Sequence, residues 1–207
     1  GGSSVGPKMA FCALAPFKSG PNCHFVSNVD SADLVDTMQQ LKAEKTLIVV
    51  ASKTFKTVET MRNAKAAISW LKVGIGDSVK DHLVAITSNI MEAKKYGVEE
   101  KKIFSFPDSV GGRYSIWGPI GLPLLLSVGT DNFDAFLSGA ERMDQHFQTQ
   151  DFNKNLPVLL GIVGLWHRNF CSYSSRAILP YEHRLKDLPL YLQQLDMESN
   201  GKSVKVT

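Results

Sequence analysis

Between residues 46 and 106 the chain changes its hydrophobic period again and again, and that switching restricts its fold more than any other feature. TLIVVAS (46–52) is a β-branched apolar run with no polar face. TVETMRNAKAAISWL (57–71) spaces its apolar residues as a helix does. HLVAITS (82–88) is apolar and continuous, NIMEAKKYG (89–97) is helical and closes on Gly97 as a C-cap, and KIFSF (102–106) ends the series. Strands apolar on both faces that alternate with helices are βαβ units, and such units build a parallel sheet covered by helices. Upstream, CHFVSNV (23–29) reads as a further buried strand, and SADLVDTMQQL (31–41) as a helix with Ser31 as its N-cap. From about residue 107 the pattern turns helical, and the polar TQDFNKN marks a candidate boundary near 150–156. The fold class expected is α/β, a doubly wound parallel sheet flanked by helices.

In an open parallel sheet, ligands bind beyond the carboxyl ends of the strands. The segment there after residues 46–52 is SKTFKTVET (52–60), which sets Ser52, Thr54, Thr57 and Thr60 beside Lys53 and Lys56. It runs into a helix, whose first N–H groups point outward and whose dipole adds partial positive charge. Hydroxyls, N–H groups and a lysine together suit an anion with several acceptor oxygens, above all a phosphate monoester. The same residues also read as an ordinary N-cap on a solvated loop. At the start of the chain, GGSSVGPK approaches a nucleotide P-loop. Pro7 stands where the phosphate-binding Lys belongs, and Lys8 replaces the Ser/Thr, so that reading fails. What remains is a loop carrying Ser3 and Ser4, with Pro7 suited to the first turn of a helix.

Composition excludes several classes of partner. The 23 basic and 20 acidic residues leave a formal charge of +3, and no basic stripe with interleaved aromatics is present, so neither nucleic acid nor an anionic membrane is expected. The longest apolar stretches, PIGLPLLLSVG and LPVLLGIVGLW, are too short to span a bilayer. Cys12, Cys23 and Cys171 lack CxxC spacing and read as buried free thiols in a reducing compartment. The five histidines lie without ligand spacing, so no metal site is expected.

Three stretches go beyond general α/β logic. SKTFKTVET resembles the sugar-phosphate loop of glucose-6-phosphate isomerases, DSVGGRYSIWGPIGLP (108–123) resembles their glycine–arginine signature, and QQLDMESNGK (193–202) resembles their glutamate-bearing segment. GGSSVGPKM, SGAERMDQHF and LPYEHRL fit in order, so the resemblance runs along essentially the whole chain. Ser109, where the family usually carries Trp, and Lys56, where Thr is common, depart from its pattern.

The resemblance implies sugar-isomerase-type (SIS) α/β domains. Residues 1–128 would form a first domain lacking its opening strand, 129–149 a helical connection, and 150–207 the start of a second domain. The family's chains are longer, so a segment truncated at both ends is expected, without turnover on its own. The reaction implied is aldose–ketose isomerisation of glucose 6-phosphate and fructose 6-phosphate in glycolysis and gluconeogenesis, in a cytoplasmic homodimer, without metal or other cofactor. Two alternatives stand beside it: a sugar-phosphate-binding SIS module without catalysis, and an isomerase that also takes mannose 6-phosphate.

By the same resemblance Glu198 is the base that shuttles a proton between C1 and C2, and Arg113 faces the developing enediolate. Ser52, Thr54 and Thr57 hold the phosphate, and Lys53 adds positive field. Gly112, with Gly111, lets the backbone approach the sugar. Ser3 lines the sugar side and Gln194 touches substrate. The residues that open the sugar ring, a histidine and a lysine, are expected beyond Thr207, the histidine on a partner subunit. Without its motif, Glu198 would read as a surface residue.

Overall fold

The computed structural model describes residues 4–202. A three-stranded parallel sheet in the order β1-β2-β3 is built from Ile48–Ala51 (β1), Leu83–Ile86 (β2) and Ile103–Phe104 (β3). Ile48 pairs with Leu83, Ala51 with Ile86, and Ala85 with Ile103. All of β2 is buried, as its central place and its uninterrupted LVAI require. Helices Val58–Ile75 (α3) and Ile90–Lys95 (α4) make the two crossovers, so the parallel α/β arrangement expected from the alternation is present.

Each crossover helix has a local cause. In α3 the buried residues Ala64, Ala67 and Leu71 fall on one stripe at helical spacing, and Gly76 at φ +61° stops the helix. In α4 the Asn89 side chain accepts the Glu92 N–H at 3.3 Å, and Gly97 takes φ +89° just past the end, as its sequence position predicts. These helices close on the sheet through a cluster of Val50, Phe55, Ala64, Ala85, Ala93 and Val98. A separate cluster of Ala10, Ile116, Leu124, Val128 and Phe133 gathers Val5–Ala13 (α1), Leu122–Val128 (α5) and Thr130–Thr149 (α6) around the turns at 112–121. Pro7 lies in the first turn of α1. Ser31–Gln39 is α2, Leu156–Asn169 is α7 and Leu188–Asn200 is α8. No residue of α7 or α8 is buried among the described residues.

Four local expectations change. Residues 23–29 form no strand. Their anchors include the Cys23 thiol on the Pro123 carbonyl (3.3 Å), Phe25 edge-on to Phe11, and the Asn28 carbonyl accepting from Asn63 Nδ2 (2.6 Å). None of residues 23–29 is buried, so the burial expected of this run fails together with the strand, which would also need a neighbouring backbone in register. The N-cap of α2 is Asp30, which accepts the Ala32 N–H at 2.9 Å, and Ser31 is already helical. A carboxylate is at least as good a cap as a hydroxyl and adds charge at the positive helix end. β1 is not fully buried, because as the edge strand it is covered on one side only and buries Val50 alone of its four residues. Among the cysteines, all free, Cys12 and Cys23 are half-buried and Cys171 is exposed, since it lies in the irregular segment after α7.

Candidate active site

Residues 52–57 leave β1 at its carboxyl end and turn into α3. Ser52 is buried, and its N–H continues the ladder to the Ile86 carbonyl (3.0 Å). Its hydroxyl accepts the Phe55 N–H (3.1 Å) and lies 3.3 Å from the Thr57 hydroxyl. Thr54 Oγ1 accepts the Lys56 N–H (3.2 Å). The turn is completed by Phe55 at φ +54°, an unusual conformation for a residue with a bulky side chain. Its ring compensates by entering the core, where it is 3% exposed and stands edge-on to Tyr96. With the ring fixed beneath, Thr54 and Thr57 stay exposed at the start of an 18-residue helix. That arrangement presents hydroxyls and a helix dipole to solvent, as an anion site needs.

The second group is assembled by α8 and the turn Gly112–Trp117. Gln194 and Glu198 are one helical turn apart, and the Gln194 amide donates to Glu198 Oε1 at 3.1 Å. The other carboxylate oxygen lies 3.6 Å from Arg113 Nη1. Arg113 Nε donates to the Ser199 hydroxyl (2.9 Å), which in turn donates to the Leu195 carbonyl (2.7 Å). The guanidinium also sits over the Tyr114 ring, 5.4 Å from its centre. A Cβ at Gly111 would come within 2.8 Å of that ring, so the glycine admits Tyr114 and, through it, supports Arg113. The Gly112 carbonyl accepts the Ser115 hydroxyl at 2.6 Å, which fixes the turn. α8 is seated against α1, where Tyr191 faces Gly6, and partial burial pushes the Tyr191 hydroxyl above its usual range.

The two groups are linked. Lys53 Nζ donates to the Asp108 carbonyl, tying residues 52–57 to the segment that leads into Arg113. Ser52, Lys53, Thr54 and Thr57 thus stand together, as do Arg113, Gln194 and Glu198. Ser3 lies outside the described residues. Sequence reasoning did not single out Ser199, or Thr87, Ser88 and Asn89 after β2. The last three carried a readable signal: they occupy the carboxyl end of β2, as 52–57 do for β1.

Chemically, the first group offers an anion cradle. The second offers a carboxylate whose charge is balanced by a fixed guanidinium. The parallel α/β frame carries both groups, at the end of β1 and on α8 with the 112–117 turn. The family model described as Phosphoglucose isomerase matches residues 1–207, and the chain belongs to that family. It is 56% identical over 204 residues to the glucose-6-phosphate isomerase of Ruegeria sp. strain TM1040, and 55% identical over 205 residues to that of Mesorhizobium japonicum. Each alignment takes in 99% of this chain but 38% of the relative, so the chain spans well under half the length of these proteins. Among solved structures, a glucose-6-phosphate isomerase from Chlamydia trachomatis superposes with a TM-score of 0.89 at 34% identity, covering 99% of this chain and 40% of that one. A hypothetical protein from Thermus thermophilus superposes at 0.81 with 31% identity, covering 98% of this chain and 48% of its own.

Proposed function

We propose that these residues are part of a glucose-6-phosphate isomerase that interconverts glucose 6-phosphate and fructose 6-phosphate through a cis-enediol. Glu198 takes the proton from one of the two adjacent carbons and returns it to the other. A carboxylate suits this shuttle because it can accept and redeliver a proton within one closed site. Arg113 stabilises the negative oxygen that forms in between, since a guanidinium stays charged in a desolvated site and presents its donors in a fixed fork. Ser52, Thr54 and Thr57 hold the phosphate, Lys53 adds field and fixes the loop, and Gln194 touches the substrate beside Glu198, to which its amide donates. Gly112 lets the backbone approach the sugar. The reaction moves a carbonyl between neighbouring carbons of one molecule, so its electrons balance without an external redox partner. We assign the activity to glycolysis and gluconeogenesis in the cytoplasm and to a homodimer. Residues 1–128 and 150–207 would belong to successive SIS-type domains joined by 129–149.

The observation that carries this reading is the Glu198 carboxylate held between the Gln194 amide and the Arg113 guanidinium. The test is incubation of the intact protein with fructose 6-phosphate in deuterated water. Glucose 6-phosphate is expected, with deuterium at C2 in the fraction of turnovers in which the Glu198 carboxyl exchanges with solvent before it returns the proton. Absence of product overturns the proposal, and formation of mannose 6-phosphate would favour the dual-specificity alternative.

A further inference from the structure

The Lys53 carbonyl is unusually well occupied. It accepts the Thr87 hydroxyl at 2.9 Å, the Ser88 hydroxyl at 2.8 Å and the Ser88 N–H at 3.1 Å. The Asn89 side-chain amide donates to the next carbonyl, Thr54 O, at 3.2 Å. The clamping residues are themselves fixed. Thr87 is fully buried, its N–H donates to the Phe104 carbonyl (3.1 Å), and its hydroxyl accepts the Asn89 N–H (3.0 Å). Asn89 Oδ1 is spent on capping α4. Thr87–Asn89 therefore form a rigid block seated on the end of the central strand, and two successive carbonyls of residues 52–57 are drawn into it.

We infer that Thr87, Ser88 and Asn89 are positioning residues for residues 52–57, setting the loop that receives the phosphate monoester. The inference rests on the phosphate role given to that loop above. A trans peptide places its N–H antiparallel to its C=O. Drawing the Lys53 carbonyl into the block therefore also fixes the direction of the Thr54 N–H, in a turn whose Thr54 and Thr57 side chains are exposed. The same two tethers hold the chain in the turn that requires the left-handed conformation at Phe55. Without them a loop leaving an edge strand samples many conformations, and an anion would have to bear the entropy of ordering it. Loop geometry, rather than direct contact with substrate, is what these residues control.

The experiment uses Thr87→Val, which keeps shape and removes both hydrogen-bonding capacities, and Ser88→Ala at a half-buried position, with Thr87→Ser as the conservative variant. In the intact protein without ligand, amide exchange across residues 53–57 is expected to accelerate about ten-fold while strand 83–86 is unchanged. KM for fructose 6-phosphate should rise about ten-fold with kcat within about three-fold of wild type, and Thr87→Ser should restore both. Unchanged exchange across 53–57 overturns the inference, as does a fall in kcat at constant KM, or a Thr87→Ser protein no better than Thr87→Val. If Thr87→Val fails to fold, Ser88→Ala carries the same readouts. If wild-type protein does not turn over fructose 6-phosphate, the proposed function fails, and the exchange measurement still decides the clamp.

Discussion

Replacing Glu198 by Gln separates what this side chain does for structure from what it does for chemistry. The structural cost follows from its surroundings. The Glu198–Arg113 pair is 3.6 Å apart, with side chains 46% and 24% exposed. Ion pairs so open to solvent contribute about 0–1 kcal/mol. A Gln at 198 keeps the length of the side chain and an oxygen that can still accept from the Gln194 amide. Arg113 keeps its bond to Ser199. The loss of stability should therefore stay below about 1 kcal/mol. Removing a general base costs about 10²–10⁴ in rate, or about 3–5.5 kcal/mol of activation free energy. The two effects differ enough to be told apart. Urea melts should nearly superimpose, and calorimetric affinity for 6-phosphogluconate should change less than about five-fold, the equivalent of about 1 kcal/mol. A coupled assay should show kcat reduced at least about 100-fold, in the range given for loss of a base. Near-wild-type incorporation of solvent tritium at C2 by Glu198→Gln would refute the assignment. So would a rate loss matched by an equal loss of folded protein.

Thr54→Val should raise KM for fructose 6-phosphate by about 10–100-fold with little change in melting temperature, because one charge-assisted bond is lost at an exposed position. Equal affinity of mutant and wild type for 6-phosphogluconate would exclude this loop as the anchor. At Phe55 the usual order of substitutions should invert. Phe55→Ala loses core burial worth about 3–5 kcal/mol, whereas Phe55→Gly loses the same ring but relieves about 1 kcal/mol of left-handed backbone strain, so the Gly variant should be the more stable in urea. A less stable Gly variant would show that the turn relaxes when the ring is gone. Glu92 is held below its ordinary value of 4.5, first by the hydrogen bond from Lys95, which outweighs the opposing effect of desolvation, and further by the charges of Lys95 and Lys56. Its folded value is the lower one, so its contribution is complete above the ordinary value and disappears as pH falls through the folded one. Lys95→Ala should move the Glu92 midpoint upward in an NMR titration, and an unmoved midpoint would assign the shift elsewhere. Partial burial also raises the Cys23 thiol, so iodoacetamide should modify it at about pH 8 more slowly than it modifies glutathione.

The elements most legible in the sequence were those whose burial and period agree. β2 could be read because LVAI is buried on both faces, and α3 because its stripe ends on a glycine with positive φ. The segment 23–29 misled because its few apolar residues lie among polar ones and pack only part-way, none of them buried, and no backbone lies alongside to pair with. Ser31 misled for a more local reason: two good caps stood side by side, and only the backbone angles distinguish them. In the candidate site, the position of Ser52, Thr54 and Thr57 between β1 and α3 was legible from the sequence pattern. Arg113 and Glu198 lie 85 positions apart and were legible only through their motifs. Spacing along the chain holds no trace of the packing of α8 on the 112–117 turn. The clamp from Thr87–Asn89 escaped notice because its targets are main-chain carbonyls, which every sequence has.

Phe55 sits in the turn proposed to receive the phosphate and inside the cluster that joins the sheet to α3 and α4. Loop order and core integrity are therefore thermodynamically linked. An anion that selects the turned loop also selects the packed ring, and hence the folded β1–α3–β2 unit, over states in which that unit has opened. At a ligand concentration about 100 times its dissociation constant, this linkage adds about 2.7 kcal/mol to the free energy of opening. Metabolite level would then set the lifetime of this part of the molecule against proteolysis as well as the rate of its chemistry.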